Sequence, residues 1–386
     1  MTDAQVVRGR RDHALDGLRG IAALLVVFFH CGVELRFPPF VLPGFSGVHL
    51  FFVLSGYLIS RPFLARLLAE QPLPSWRKYC VRRFMRIYPT YLVALVIFVG
   101  MRFAGHLHTP SPRDVFLHLL LVFNWGTPAE FLSINIAMWT LAIEAQFYVI
   151  LPIAAAVAKR LFPAPAGLGA VLVCFAFALV GWLSRVVEYS WTLPGELRFR
   201  LPFSFLDLFA MGMFAAYLEL RHAYWLRGRA LLRGAMLLVA ATMLFGANAW
   251  LLAAGGGDWL RPPTLLLSWL YPTFICAGFA LVLLVVLTRV RDSVPVLTAA
   301  PLVFVGRISY SMYLFHVGVG YLLLTRLPPT LGLWLGSHPP VYAIAQLGPV
   351  VLVSYLVYRA VELPSLRWVE RFTIHGGAQK KQISPS

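Results

Sequence analysis

Ten runs of mainly apolar residues recur along this chain, each close to the 20 or so that a helix needs to cross the hydrocarbon core of a bilayer. They lie near 17–33, 47–68, 87–104, 139–158, 166–184, 203–220, 234–254, 264–287, 302–324 and 341–361. Such a pattern predicts an all-α fold, a polytopic membrane helix bundle. Composition agrees, since 59% of the residues are hydrophobic and only 13% are charged, against about 45–50% and about 25% in a soluble domain. So few charges cannot coat a soluble protein of 386 residues. An eleventh stretch, Asp114 to Trp125, is too short to cross and carries His118, so a re-entrant or interfacial helix is predicted there.

The net charge of +17 would suit a nucleic-acid partner, but the cations sit between apolar runs rather than on a soluble face. The positive-inside rule accounts for them better. With the N-terminus cytoplasmic and the short stretch not crossing, 25 of the 33 Lys and Arg fall on the cytoplasmic side. That leaves 8 outside: Arg36, Arg102, Arg113, Arg185, Arg198, Arg200, Arg261 and Arg326. Were the short stretch to cross, the Arg221–Arg233 cluster and the C-terminal tail would face out. Both termini are therefore expected in the cytoplasm, with membrane lipid as a partner and no nucleic acid.

The domain reading is a cytoplasmic tail over 1–12, a membrane-embedded domain over 13–370 and a second cytoplasmic tail over 371–386, polar and disordered from His375. No appended soluble domain is expected, and Gly255–Gly257 and Pro339–Pro340 punctuate outer turns. The long polar lead, with no small-residue cleavage site after the first apolar run, reads as a retained signal anchor. Cys31, Cys80, Cys174 and Cys276 show neither a C-x-x-C pair nor metal-type spacing, so neither a disulfide framework nor a metal site is expected. Cys31, beside His30, is either a packing residue or a reactive thiol.

An ionisable group near the centre of a span costs about 2.5–3.5 kcal/mol on insertion scales, so its default reading is functional, with interhelical hydrogen bonding as the plainer one. His30, Glu144, Asp207 and His316 are such groups, with Asp16 and Arg19 at the inner mouth of the first span. Eleven residues at 100° each come within about 20° of three full turns, so Arg19 and His30 share a helix face about 16 Å apart along the axis. One elongated ligand could meet both, the guanidinium holding an anion and the imidazole serving as general base. The plainer alternative is a snorkelling Arg and an interhelical His hydrogen bond. Arg83 and Arg86, three apart before the third span, are helix neighbours and read as a phosphate clamp or as topology-setting charge. Glu144 lies about a turn and a half into its span with Tyr148 at i+4 on the same face. Its carboxylate could orient a His, bind a hydroxylated ligand or make a structural hydrogen bond.

In these blocks the chain resembles the acyltransferase-3 family, bacterial integral-membrane enzymes that acylate hydroxyl groups. LDGLRGIAALLVVFFH resembles the family's Arg-x10-His motif at Arg19 and His30. The stretches Phe51–Ile59, Arg83-x-x-Arg86-Ile-Tyr-Pro, Phe123-Asn124-Trp125, Trp139–Tyr148 and Val305–His316 are similar to its later blocks, in the family's order. The resemblance runs over roughly residues 13 to 370. Ala145 departs from it, standing where a second acidic residue is common, which leaves Glu144 as sole carboxylate.

What the resemblance implies is an O-acyltransferase of the bacterial cytoplasmic membrane. It would take an acyl group, by family default acetyl, from cytoplasmic acyl-CoA, a donor substrate rather than a resident cofactor. The acceptor hydroxyl would belong to a glycan, including peptidoglycan or a surface polysaccharide, a glycolipid or a glycosylated small molecule. Arg19, Arg83 and Arg86 would hold the CoA phosphates, Asn124, Tyr148 and His316 would complete the substrate site, and His30 and Glu144 would be catalytic. An acyl-His30 or acyl-Cys31 relay is a second enzymatic reading. Ten spans with buried polar groups also suit a transporter or flippase of a lipid-linked or amphipathic substrate.

Overall fold

The computed structural model describes residues 3–34, 46–105, 109–163, 167–192, 199–226, 228–254, 264–288 and 294–378. Every regular element among them is helical. In chain order they are α1 (Asp3–Glu34), α2 (Ser46–Leu68), α3 (Trp76–Ala104), α4 (Pro112–Leu119), α5 (Pro128–Phe131), α6 (Trp139–Leu161), α7 (Leu168–Trp191) and α8 (Leu206–Leu226). There follow α9 (Ala230–Ala253), α10 (Leu265–Thr288), α11 (Pro295–Thr298), α12 (Ala300–Arg307), α13 (Ser309–Arg326), α14 (Pro329–Ser337) and α15 (Pro339–Val357). A π-helical turn, Tyr358–Glu362, joins α15 to α16 (Leu363–Ala378).

Among the described residues nine helical segments are long and apolar enough to cross a membrane, and α12 with α13 makes a tenth only as a broken span, bent by 77°. The continuous helix expected over 302–324 is therefore corrected. The break falls at Ile308, which leaves the helical region at φ −93° and ψ 4°. Gly306 lies so close to the backbone of Asp16 that a Cβ would overlap it, so α12 crosses α1 at backbone contact while α13 turns away. Irregular backbone at membrane depth is tolerated where it is buried or lines a cavity, and both hold here. Asp114 to Trp125 forms α4, a reversal at Leu121 (φ 56°) and a 3₁₀ turn, Phe123–Trp125, none long enough to span.

Helix ends differ from the sequence reading in three places. Residues 3–12 are helical and belong to α1, and α3 begins at Trp76, so the whole Arg-rich stretch is helical. The tail read as disordered from His375 is helical to Ala378; residues 379–386, like Gly255–Gly257, lie outside the described residues.

The centre of the bundle is α2, which packs on α1, α6, α8 and α10. Its closest approach is to α8, where Gly56 faces the backbone of Phe209 and Gly212 that of Val53. Small residues let backbones meet, which replaces the hydrophobic drive that lipid cannot supply between helices. Large apolar side chains point outward instead, Leu238 at 70% and Ile344 at 73% exposed, as a lipid-facing belt requires. A buried ion pair ties α7 to α8. Arg185 Nη2 meets Asp207 Oδ1, its Nε donates to Ser204 O at 2.9 Å, and Thr273 Oγ1 donates to Asp207 Oδ2 at 3.1 Å. Arg185, read as an outer-loop charge, is thus fully buried inside α7. Asp207 is the counter-ion that this burial demands.

Candidate active site

Two polar clusters lie within the bundle, one around a cavity and one just beyond it. The cavity has a volume of about 110 Å³. Helices α1, α2, α3, α6 and α13 wall it, with Val48, Phe51, Phe52, Leu58, Ile59, Ile87 and Leu141 as the apolar part. Into this lining project three guanidiniums, Arg19, Arg83 and Arg86, and one carboxylate, Glu144. The excess of positive charge in a low-dielectric wall favours an anionic ligand.

Arg19, Arg83 and Glu144 are each held from behind. Asp16 Oδ1, one turn before Arg19, accepts from its Nη1 at 3.3 Å, and Asp16 Oδ2 lies 3.8 Å from Arg307 Nε. The Arg83 guanidinium lies over the rings of Tyr79 at 5.7 Å and Tyr148 at 5.3 Å, a cation–π contact that keeps its donors free for a ligand. Tyr79 OH donates to Tyr148 O at 3.0 Å, and Tyr310 OH to Ile87 O at 2.8 Å, which locks α3 to α6 and α13. Glu144 Oε1 accepts from Ser55 Oγ at 2.6 Å and from Tyr148 OH at 3.0 Å. The i, i+4 pairing of Glu144 with Tyr148 thus has a direct contact. The carboxylate is held by α2, however, and has no hydrogen bond to His30.

The partner of His30 comes from α13. His316 Nε2 lies 3.1 Å from His30 Nδ1, with ring centroids 4.8 Å apart. Carbonyl oxygens only accept, which fixes the tautomers. His316 Nδ1 is 2.8 Å from Tyr313 O and 3.2 Å from Met312 O, so it carries the hydrogen and leaves Nε2 as an acceptor. His30 Nδ1 is 3.0 Å from Val26 O and carries the hydrogen shared between that carbonyl and His316. Nε2 of His30 is left with its lone pair, the state a general base requires.

Neither histidine lines the cavity. Tyr313 and Phe51 do, and they stand between the two clusters: their rings meet edge to face at 5.8 Å, and the Tyr313 ring lies 6.0 Å from that of His316. Thr140 Oγ1 donates to Tyr313 OH at 2.8 Å. Arg19 and His30 do share one helix, but one aromatic layer separates what each of them faces.

Asn124 sits elsewhere. Its Oδ1 accepts from Gln146 Nε2 at 2.6 Å and its Nδ2 donates to Arg200 O at 3.1 Å. Trp125 Nε1 donates to Gln146 Oε1 at 2.9 Å. This buried group ties the segment after α4 to α6, outside the cavity lining. Ser55, Thr140 and Tyr313 went unread as site residues because their contacts join helices far apart in sequence. Only the Phe51–Ile59, Trp139–Tyr148 and Val305–His316 blocks hinted at them. Cys31 is buried and its Sγ donates to Gln346 Oε1 at 2.5 Å, while Gln346 Nε2 donates to His316 O at 3.1 Å. No group of three or more His, Cys, Asp or Glu capable of holding a metal gathers among the described residues.

Comparison with known proteins places this architecture. The chain is 31% identical over 154 residues to the peptidoglycan O-acetyltransferase OatA of Listeria monocytogenes, a match covering 36% of this chain and 23% of that one. It is 29% identical over 153 residues to the O-acetyltransferase OatA of Staphylococcus aureus, covering 36% and 24%. With the putative peptidoglycan O-acetyltransferase YrhL of Bacillus subtilis it shares 33% identity over 174 residues, covering 41% and 26%. The chain thus matches about a quarter of the length of each relative. No solved structure matches it. A family model described as an acyltransferase domain, however, matches residues 12–359. That match runs over nearly the whole chain, and the protein belongs to the acyltransferase-3 family of multi-pass membrane proteins.

Proposed function

We propose that this protein is a membrane O-acyltransferase that moves an acyl group, acetyl by the names of its relatives, from acyl-CoA to a hydroxyl of a glycan or glycosylated acceptor. The observation that carries the reading is the convergence of Arg19, Arg83 and Arg86 on one cavity, with a base-competent imidazole one aromatic layer beyond it. The arginines bind the phosphates of CoA, since guanidinium matches phosphate in geometry and charge. The relatives named for peptidoglycan O-acetylation support a hydroxylated glycan as acceptor. The positive-inside count supports donor entry from the cytoplasmic end of the bundle, where Arg19, Arg83 and Arg86 lie.

The transfer step balances without a cofactor. His30 Nε2 takes the proton of the acceptor hydroxyl as that oxygen attacks the thioester carbonyl. The carbon–sulfur bond breaks, and the CoA thiolate leaves with the proton that His30 returns. His316 Nε2, accepting from His30 Nδ1–H at 3.1 Å, stabilises the imidazolium formed in between. Glu144 remains on the cavity wall, where its second oxygen can accept from a hydroxyl or amide of the bound ligand.

The test is thiol release from acetyl-CoA by the purified protein in lipid nanodiscs, with and without a glycan acceptor. A positioned base contributes about 10²–10⁴-fold, so His30→Ala loses turnover by at least the lower figure with normal protein levels. Acylation by that variant near the wild-type rate defeats the assignment. A wild-type protein that moves an amphipathic solute across the bilayer without consuming acetyl-CoA establishes a carrier instead.

A further inference from the structure

A second carboxylate lies behind the arginine cavity, in the π turn between α15 and α16. Pro364 explains the turn: proline has no N–H and its ring clashes with the carbonyl four residues back, so the helix widens there, and Leu363 N–H bonds to Tyr358 O five residues earlier. Such π turns are often found at functional sites. This one carries Glu362, only 2% exposed, and packs against α3, the helix of Arg83 and Arg86. Glu362 Oε2 accepts from Ser311 Oγ at 2.9 Å, while Oε1 has no hydrogen-bond partner among the described residues. Ser311 stands on α13 next to Tyr310, which lines the cavity, so the carboxylate is joined to the cavity wall through that helix. A buried carboxylate oxygen without a donor is costly, and stability alone would favour an apolar residue at such a site.

We infer that Glu362 is the buried counter-ion of the arginine cavity and sets how tightly it holds an anionic donor. The inference rests on the acyl-CoA reading of that cavity and deepens it. Three guanidiniums offset only by Glu144 on the wall and by Asp16 behind Arg19 would bind a polyanion so strongly that the spent, still anionic product would leave slowly. A fixed negative charge on the turn that packs against α3, anchored by Ser311 and outside the cavity lining, offsets part of that attraction without blocking the cavity. It also lowers the cost of keeping the two half-buried guanidiniums of Arg86 and Arg19 together before the ligand arrives. Glu362 contacts neither thioester nor acceptor; it acts through the arginines.

The experiment measures equilibrium binding of acetyl-CoA, inorganic pyrophosphate and uncharged acetyl-pantetheine to the full-length protein in nanodiscs. Glu362→Gln keeps the shape and the Ser311 bond but removes the charge. It is expected to bind acetyl-CoA and pyrophosphate on the order of tenfold more tightly, from the loss of one unit charge at short range, with acetyl-pantetheine unchanged. KM and kcat for acetyl-CoA then fall together as release slows, whereas a merely structural residue would raise KM or reduce all three affinities alike. Glu362→Asp, which keeps the charge, stays close to the wild type. Ser311→Ala frees the carboxylate to swing onto Arg86 and is expected to weaken anion binding, and it decides the matter should Glu362→Gln not fold. Unchanged or weaker anion affinity in a folded Glu362→Gln, or unchanged or tighter affinity in Ser311→Ala, overturns the counter-ion role while leaving the donor reading standing. If the wild type binds pyrophosphate but not acetyl-CoA, the donor reading falls and pyrophosphate alone decides Glu362. If neither anion binds wild type or variant, both fall.

Discussion

His316→Ala probes the histidine pair where the geometry makes a quantitative demand. The substitution deletes the acceptor 3.1 Å from His30 Nδ1 but leaves Val26 O, 3.0 Å from the same nitrogen. The hydrogen on Nδ1 therefore keeps a partner, and Nε2 stays the basic nitrogen. What is lost is one hydrogen bond to the imidazolium that forms during transfer. Hydrogen bonds to charged groups contribute about 1.5–3 kcal/mol. The surviving carbonyl puts the loss near the low end, and at 1.36 kcal/mol per decade it amounts to roughly 10–30-fold in kcat. Since His316 does not line the arginine cavity, KM for acetyl-CoA should not move. The assay is steady-state thiol release in nanodiscs, with acetyl-CoA and acceptor varied independently. Residues that act as a unit are non-additive, so His30→Ala/His316→Ala should be no slower than His30→Ala alone. A normal kcat in His316→Ala, a change confined to KM, or a fully multiplicative double variant would refute the pairing.

Other outcomes follow from single contacts. Arg83→Ala and Arg86→Ala are each expected to raise the dissociation constant for acetyl-CoA by about tenfold or more, one charge-assisted hydrogen bond or pair lost; unchanged affinity in both variants argues against the clamp. Cys31→Ser keeps the donor to Gln346 Oε1 and is expected to retain turnover with no labelled acyl group trapped on the chain; loss of turnover would favour a thiol relay. Asp207→Asn strips Arg185 of its counter-ion and is expected to cost about 3–5 kcal/mol, read as a lower thermal transition in detergent. At α5, the Thr127 backbone amide and then Arg113 hold the Glu130 carboxyl below the ordinary range. Its contribution is therefore present above the unfolded carboxyl pKa and is lost as pH falls through the lower folded one. Hydrogen-exchange protection across 127–131, taken relative to the intrinsic rate at each pH, should fall in acid, and Glu130→Gln should remove that dependence.

The apolar runs were legible because lipid imposes composition directly, and each falls on helix in the structure, although α3 starts at Trp76 rather than at 87 and the last helical segment runs on to Phe372 rather than ending at 361. The bend at Ile308 was not legible. The sequence around it has no proline, and the only local signal was Gly306, whose meaning depends on α1 lying against it. The shared face of Arg19 and His30 followed from helix geometry alone. What each of them touches did not, because Asp16 is local to Arg19 whereas His316 is 286 residues from His30. Glu144 was visible as a charge inside an apolar run, whereas Glu362 passed unnoticed near a span end, where charges are routine. Asn124 is the converse case. A motif position suggested a ligand contact, but its bonds to Gln146 and the Arg200 carbonyl are those of a brace.

Two helices carry both clusters. From α1 come Arg19 to the cavity and His30 to the pair; from α13 come Tyr310 and Tyr313 to the cavity and His316 to the pair. A path for one ligand therefore depends on the register between α1 and the broken span, and that register is set where Gly306 of α12 meets the Asp16 backbone. Gly306→Ala places a methyl group where backbone atoms already stand, and overpacking of this kind costs about 1–3 kcal/mol. The helices must separate there, moving Asp16 and with it the Arg19 guanidinium, while α13 shifts beside them. KM for acetyl-CoA should rise and kcat should fall in the same variant. That pattern differs from His316→Ala, which changes kcat alone, and from Arg86→Ala, which weakens donor binding. A folded Gly306→Ala protein with normal values of both constants would mean that the two clusters do not depend on this crossing.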